Sequence, residues 1–367
     1  MSERMFTNPV ILDRQALEEF ADVLSDRAPQ IERDVARLKQ NPNDRALVAG
    51  LFRSTHNVKG DASLCRFELG VAVAHPIETL MSRYRNGELP FSDILAETIL
   101  LAIDRLELAT ESLTQQRPIE HLHLLTLVEG LEAVARAASA EVDMYCRKLI
   151  EAVTGFSPLS VGAKDSVQKH APPPESSPPP SSDLQFFHTL ALRFEARSPL
   201  FRGRTMRILR LALETNRAAG TPVDPVQLEA AIYVHDVGMM FLPESVWLKV
   251  GKLAPADKLL LHEHPAIGAG ILERMKGWRD AAQMVAQHHE MPDGNGYPAA
   301  LRSQEICTGA KILSIVDAFE SVMLKHINRG RNRSVLRAIA EVNACDNQFS
   351  PEWIAPFNTV IRRTIES

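Results

Sequence analysis

Apolar residues recur every three or four positions through most of the chain, which is the spacing of amphipathic helices. The clearest stripe lies between residues 12 and 38 and consists of Leu17, Phe20, Ala21, Leu24, Ala28, Ile31, Val35 and Leu38. The apolar-polar alternation that predicts strands is scarce throughout the chain. We therefore predict an all-α protein.

The first 156 residues predict several helices joined by short connections. The segment 41–44 ends the first helix, and Asn43 or Asp44 is the expected N-cap of the second. A third helix is expected at about 68–85, and a fourth at about 92–115 with Ser92 as its cap. A further helix is expected at about 119–153, either docked on the others or separate from them. Helices with this spacing predict an antiparallel helical bundle over residues 8–156.

Residues 157–183 interrupt the helical pattern. This segment is rich in proline and serine and contains no aromatic residue, so we expect a disordered linker that does not bury a core. Helical spacing resumes at 186–219 and 226–235. We therefore predict a second all-helical domain at residues 184–367.

Bulk composition narrows the possible partners and the compartment. The chain has 367 residues, which favours two or more domains, and a net charge of −5, which offers no basic field for DNA. No apolar run is long enough to predict a membrane span, and the first residues lack the apolar core of a secretion signal. The four cysteines are far apart in the sequence, which is typical of a reducing compartment. We expect a cytoplasmic protein with no DNA or membrane partner.

Residues 235–317 contain the densest set of metal-binding side-chain types. In chain order they are His235-Asp236, His264-Pro265, His288-His289-Glu290, Asp293-Gly294-Asn295-Gly296-Tyr297-Pro298 and Asp317. Imidazole and carboxylate together suit mid-series divalent metals. Two such ions held close together can activate water and neutralise a phosphoryl transition state. Each histidine alone is more often structural, so the prediction depends on the complete set.

The order and spacing of these motifs closely resemble the HD-GYP branch of the HD phosphohydrolases, over roughly residues 184–360. The resemblance implies metal-dependent hydrolysis of cyclic di-GMP or a related nucleotide, with one or two divalent ions (iron, manganese or similar). It implies the metal ligands His235, Asp236, His264, His288, His289 and Asp317, with Asp236 bridging two ions and acting in catalysis. It also implies that a loop near the substrate is formed by Asp293, Gly294, Gly296, Tyr297 and Pro298. His262, two residues before His264, is expected to point elsewhere and to be exposed.

Two residues depart from the pattern of active family members. Arg204 stands where these members carry a histidine, and a guanidinium has no free lone pair with which to bind a metal. Met239 stands where the family has a lysine that contacts substrate phosphate. Two hypotheses follow. The domain is a working phosphodiesterase, or it is a degenerate adaptor or sensor that acts through binding, for example by docking a diguanylate cyclase.

A second candidate site lies in the first domain, on the predicted helix that contains His56-Asn57-Val58-Lys59-Gly60. Lys59 follows His56 by three positions and therefore shares its helix face, and His75 and Glu78 share a face by the same spacing. One reading is a solvated histidine beside a solvated lysine. A glycine at position 60 costs helix stability, and close approach of a partner surface is one reason to keep it.

Residues 12–110 resemble a histidine phosphotransfer (Hpt) domain in the run 52–60, in His75-Pro76-Ile77-Glu78 and in Arg85-Asn86-Gly87. The resemblance implies that His56 accepts the phosphoryl group, that Lys59 offsets its charge and that Glu78 holds one ring nitrogen. It also implies a receiver domain or a histidine kinase as partner. Asp61 replaces a usual small neutral residue, and its charge is expected to weaken phosphorylation.

Overall fold

The computed structural model describes residues 4–156, 182–249, 253–328, 335–344 and 348–366. Contacts divide the chain into two compact units, the first of which takes in residues 1–164 and 329–340 and the second the remainder. The described residues form helices and turns without a strand, so the all-α prediction is confirmed. In the described ranges, every helix falls short of the length or apolar character needed to cross a membrane.

The first unit is built from helices that run back and forth. Its helices are α1 (Arg4–Thr7), α2 (Arg14–Gln40), α3 (Arg45–Leu64), α4 (Glu68–Arg85), α5 (Asp93–Thr114), α6 (Leu124–Arg136) and α7 (Val142–Thr154). Helix α3 packs on α4, α2 packs on α3 and α5, and α6 packs on α4 and α7. The apolar stripe of α2 is buried as predicted, except that Ala21 is only partly covered.

Side-chain caps explain where the first helices begin. The Asp13 carboxylate accepts a hydrogen bond from Ala16 N, and the Asp44 carboxylate accepts from Ala46 N and Leu47 N. Ser92 Oγ caps α5 in the same way. The prediction of a single helix at 119–153 is wrong, because the chain turns at His123, which has a left-handed backbone conformation, and again after Arg136.

The second unit carries the histidine-rich motifs. Its helices are α8 (Ser182–Glu195), α9 (Arg204–Ala218), α10 (Pro225–Val234), α11 (Glu244–Trp247), α12 (Pro255–Leu261), α13 (His264–Glu273), α14 (Arg279–Gln287), α15 (Thr308–Asn328) and α17 (Pro351–Glu366). Helix α16 (Val335–Asn343) divides between the two units. Residues 157–181 of the expected linker lie outside the described residues. Helix α8 begins at Ser182, two residues before the expected end of the linker. The boundaries 8–156 and 184–367 therefore stay a prediction.

The helix expected across residues 186–219 is interrupted, and the interruption positions the start of α9. Ser198 is extended because it precedes Pro199, which disfavours the helical region for the residue before it. The buried carboxylate of Glu195 then accepts hydrogen bonds from Gly203 N at 2.8 Å and from Thr205 N at 2.6 Å. These bonds fix Arg204 as the first residue of α9.

Two glycines allow the helices of the second unit to approach closely. A Cβ at Gly238 would lie 2.1 Å from the carbonyl oxygen of His264, so no larger residue fits between the chain after α10 and the start of α13. A Cβ at Gly268 would lie 3.1 Å from the carbonyl oxygen of Val234. The ends of α10 and α13 therefore meet.

Candidate functional site

The metal-binding side chains of the second unit converge from helix ends. His235 is the C-cap of α10, His264 is the first residue of α13, and His288 is the C-cap of α14 with His289 directly after it. Asp317 comes from the middle of α15. Adjacent residues within a helix diverge by about 100°, so His288 and His289 face one site only because the helix ends between them.

Three of the four imidazoles are oriented by the carbonyl three residues earlier. Nδ1 of His235 lies 2.7 Å from Ile232 O, and Nδ1 of His288 lies 2.7 Å from Val285 O. Nδ1 of His264 lies 2.6 Å from the carbonyl oxygen of residue 261. A carbonyl only accepts, so each Nδ1 carries the proton when the ring is neutral, and each Nε2 is left for a ligand.

These side chains form two adjacent groups, each with donor atoms within 4.8 Å of one another. The first group is His235, Asp236 and Asp317, and the second is His264, His288 and His289. The groups meet where His264 Nε2 lies 3.7 Å from Asp236 Oδ1. The carboxylate of Asp236 therefore lies within reach of both groups.

The imidazoles of the second group are neutral at pH 7. Burial lowers the pKa of His264 and holds that of His288 well below its ordinary value. Burial and the neighbouring His264 lower the pKa of His289 to about 4. Each ring therefore offers a lone pair, and three such imidazoles suit zinc, iron or copper. The second group fits a metal ion.

The first group is spanned by an arginine. Arg204 Nη1 donates to Asp236 Oδ2 at 2.5 Å, and Nη2 donates to Asp317 Oδ1. The Arg204 residue is 7% exposed, so its charge is balanced by these carboxylates and not by water. The guanidinium thus binds the same two carboxylates that an ion in the first group would need.

The protonation of His235 completes the charge balance of the first group. Burial alone would lower the pKa of His235, but Asp236 and Asp317 outweigh it and raise the pKa to about 9. Burial alone would raise the pKa of both carboxyl groups, but Arg204 and His235 outweigh it and hold the pKa of each below its ordinary value. In the absence of a metal ion, two cations therefore face two carboxylates.

The loop of residues 293–298, the Gly-Tyr-Pro loop, is held by a buried glutamate. Glu290 Oε1 accepts from Ala299 N at 2.6 Å, and Oε2 accepts from Leu301 N at 2.8 Å. A Cβ at Gly296 would lie 2.3 Å from Met291 N, so only glycine fits at that position. The motif reading assigned no role to Glu290, although the residue was visible as the third member of the His-His-Glu run.

The other predicted loop residues shape the turn. Asp293 Oδ1 accepts from Asn295 N at 2.9 Å, and Gly294 has φ of +83°, which favours glycine. Pro298 follows Tyr297 through a cis peptide bond. Asp293 and Gly294 therefore stabilise the turn of this loop. A role for them in substrate binding stays a prediction.

The ring of Tyr297 lies between two histidines. Its centroid is 4.8 Å from that of His289 and 3.7 Å from that of His262, with both pairs stacked. His262 is only partly exposed, so the expectation that it points away into solvent is wrong. It stands in the turn between α12 and α13, not on the helix of His264.

In the first unit, His56 is exposed on α3 and faces Glu78 on α4. His56 Nδ1 lies 2.5 Å from Glu78 Oε1, and Lys59 Nζ donates to the other carboxylate oxygen. Burial alone would raise the pKa of Glu78, but the hydrogen bonds from His56 and Lys59 outweigh it and lower the pKa. An ionised carboxylate only accepts, so Nδ1 carries the proton and Nε2 is the ring nitrogen that keeps its lone pair.

The neighbours of His56 bear on the expected effect of Asp61. Arg27 Nε lies 3.0 Å from Asp61 Oδ2, a pair across two helices that no sequence spacing indicates. This ion pair offsets the charge that we expected to weaken phosphorylation. A Cβ at Gly60 would meet no atom within 4 Å, so nothing inside the unit requires a glycine there.

Comparison with known proteins matches each unit to a family. Residues 15–109 match the Hpt domain model, and residues 193–350 match the HD domain model. The chain is 36% identical over 135 residues to a cyclic di-GMP phosphodiesterase of Vibrio cholerae, over 35% of this chain and 27% of that protein. It is 28% identical over 134 residues to a cyclic di-GMP phosphodiesterase of Thermotoga maritima, over 36% of each chain.

A third relative is named for a different cyclic dinucleotide. It is the 3'3'-cGAMP-specific phosphodiesterase 3 of Vibrio cholerae, which is 29% identical over 155 residues, or 41% of this chain and 34% of that protein. The chain thus spans about a third of the length of the relatives that it matches. Residues 15–109 thus form an Hpt domain, and residues 193–350 form an HD domain.

Proposed function

We propose that this chain is a signalling protein whose HD-GYP domain holds one metal ion and binds a cyclic dinucleotide without hydrolysing it. The observation that carries the proposal is the contact of the Arg204 guanidinium with both Asp236 and Asp317. The guanidinium brings one positive charge to these carboxylates, and it cannot coordinate and activate a water as an open metal site does. The domain therefore acts as a sensor or adaptor.

His264, His288 and His289 would hold the single ion, with Asp236 beside them. A bound divalent ion would supply an electrophile for one phosphate oxygen of the ligand. The pair of ions that stabilises the attacking and the leaving oxygen is not available. Met239 also offers no cation to phosphate. Each lost electrostatic contact costs roughly 10² to 10³ in rate, so the two losses together suppress turnover.

The ligand class is inferred from the relatives. Their names specify cyclic di-GMP and 3'3'-cGAMP, so we infer a cyclic dinucleotide held near the Gly-Tyr-Pro loop. Docking of a diguanylate cyclase is a further way in which such a module acts.

The input to this module is inferred from the first unit. We infer that His56 exchanges a phosphoryl group with a receiver domain or a histidine kinase, with Nε2 as nucleophile and Lys59 close to the added charge. The chain would work in the cytoplasm, where these partners and the cyclic dinucleotide occur together. Phosphorylation of His56 would then regulate what the HD-GYP domain binds.

A working phosphodiesterase is the second candidate. It is favoured by the complete set of His264, His288 and His289, and by the activity named for the relatives. In that case one ion and the ionised Asp236 would be sufficient for hydrolysis. The two candidates differ in turnover and agree on binding, so a turnover assay separates them.

We expect the purified chain to bind cyclic di-GMP in the presence of Mn²⁺ or Fe²⁺ and to form no linear product. The double substitution Arg204→His with Met239→Lys supplies a ligand and a phosphate contact, and turnover should rise to at least about 100-fold above the background of the assay. Arg207→His with Met239→Lys is the matched control, because Arg207 lies on the same helix and is partly exposed. Turnover by the unmodified chain at about 1 s⁻¹ or faster, an ordinary enzyme rate, would establish the second candidate.

A further inference from the structure

His289 differs from the other histidines of the site in what orients its ring. Nδ1 of each of His235, His264 and His288 contacts a carbonyl three residues back. His289 follows the end of α14, and no hydrogen bond to its ring is found among the described residues. Its ring orientation must therefore come from packing.

The rings around His289 supply that packing. On one side its centroid lies 4.0 Å from that of His288 and 5.0 Å from that of His264. On the other side the Tyr297 ring stacks on it with an interplanar angle of 28°. His262 covers the far face of Tyr297 at 3.7 Å with an interplanar angle of 10°. Three rings are stacked in the order His289, Tyr297, His262.

We propose that His262 is a positioning residue that clamps Tyr297 against His289. The clamp fixes the orientation of the His289 ring together with that of the Gly-Tyr-Pro loop. The part that concerns metal affinity rests on the proposed function, whereas the clamp itself does not. Among the described residues, the ring of His262 stacks on the ring of Tyr297 and on no other aromatic ring. It acts through Tyr297.

The backbone contacts of the loop do not replace this clamp. Tyr297 N donates to His289 O at 3.1 Å, and Glu290 holds residues 299 and 301. These bonds fix the path of the chain but leave the phenol ring free to turn about its side-chain torsions. Stacking between aromatic rings depends on their mutual orientation, so rings on both faces of Tyr297 favour one orientation of the phenol.

The clamp is tested first without metal. The full chain is labelled with fluorotyrosine and measured by ¹⁹F NMR in a chelator, and the Tyr297 signal is assigned with Tyr297→Phe. His262→Ala should move this signal towards that of a solvent-exposed tyrosine, and His262→Phe should keep it in place because a ring is retained. His188→Ala is the matched control, because His188 packs on a different tyrosine, Tyr233, at 5.0 Å. An unchanged Tyr297 signal in His262→Ala overturns the proposal.

The second arm measures Zn²⁺ affinity by competition with a chromogenic chelator. Loss of an outer partner of a metal ligand typically costs 10-fold to 100-fold in affinity, so His262→Ala should bind Zn²⁺ at least about 10-fold more weakly. His262→Phe and His188→Ala should match the unmodified chain. A shifted Tyr297 signal with unchanged Zn²⁺ affinity overturns the positioning of His289. Absence of Zn²⁺ binding by the unmodified chain refutes the proposed function instead, and the NMR arm still decides the clamp.

Discussion

Replacement of Arg204 by methionine is expected to lower the free energy of unfolding of the second unit by about 3 to 5 kcal/mol in metal-free buffer at pH 7. The substitution keeps most of the aliphatic bulk and removes the cation, so Asp236 and Asp317 are left buried with only His235 to balance them. Urea unfolding followed by tryptophan fluorescence measures the effect, because Trp247, Trp278 and Trp353 all lie in the second unit.

Arg197→Met is the control for this substitution. Arg197 lies in the same unit and pairs with Glu244 at 2.9 Å, but both side chains are about half exposed, so its loss should cost about 1 kcal/mol or less. Divalent metal should stabilise Arg204→Met more than it stabilises the unmodified chain, because a dication can then occupy the position between the carboxylates. An Arg204→Met protein within 1 kcal/mol of the control would contradict this account of the first group.

His56→Gln is expected to reduce phosphoryl uptake by the first unit to background. Glutamine keeps a polar side chain at the surface but has no ring nitrogen to attack phosphorus, whereas His56 presents a free Nε2 while Glu78 holds Nδ1. The full chain is incubated with phosphoramidate, and the acid-labile phosphohistidine is measured by ³¹P NMR.

His75→Gln is the matched control for phosphoryl uptake. His75 also approaches Glu78, at 3.9 Å, and its side chain is 66% exposed, yet it lacks a short contact that would fix its ring. The His75→Gln protein should form as much phosphohistidine as the unmodified chain does. Equal uptake by His56→Gln and the unmodified chain would remove the phosphotransfer role from His56.

The sequence predicted the helical fold and the identity of the converging side chains, because both depend on local spacing. The apolar stripe of α2 and the caps Asp44 and Ser92 are read within one or two turns of helix. The need for a helix end between His288 and His289 also follows from local geometry. The identity of the metal and the number of ions that these residues hold remain predictions.

The features that the sequence did not reveal depend on residues far apart in the chain. That Arg204 spans both carboxylates follows from the positions of α9 and α15, and the pairing of Arg27 with Asp61 follows from the packing of α2 on α3. The expectation for His262 was wrong because the sequence does not show where the helix before His264 ends. In fact α12 ends at Leu261, and the turn that follows directs His262 onto Tyr297.

The number of metal ions per chain tests the central claim most directly. The full chain is loaded with excess Mn²⁺, Fe²⁺ or Zn²⁺, dialysed, and measured by mass spectrometry of the intact protein and by elemental analysis. We predict one ion per chain, lost when His264 and His288 are replaced by alanine. Two ions per chain in the unmodified protein would show that Arg204 leaves the first position open, and would contradict the account.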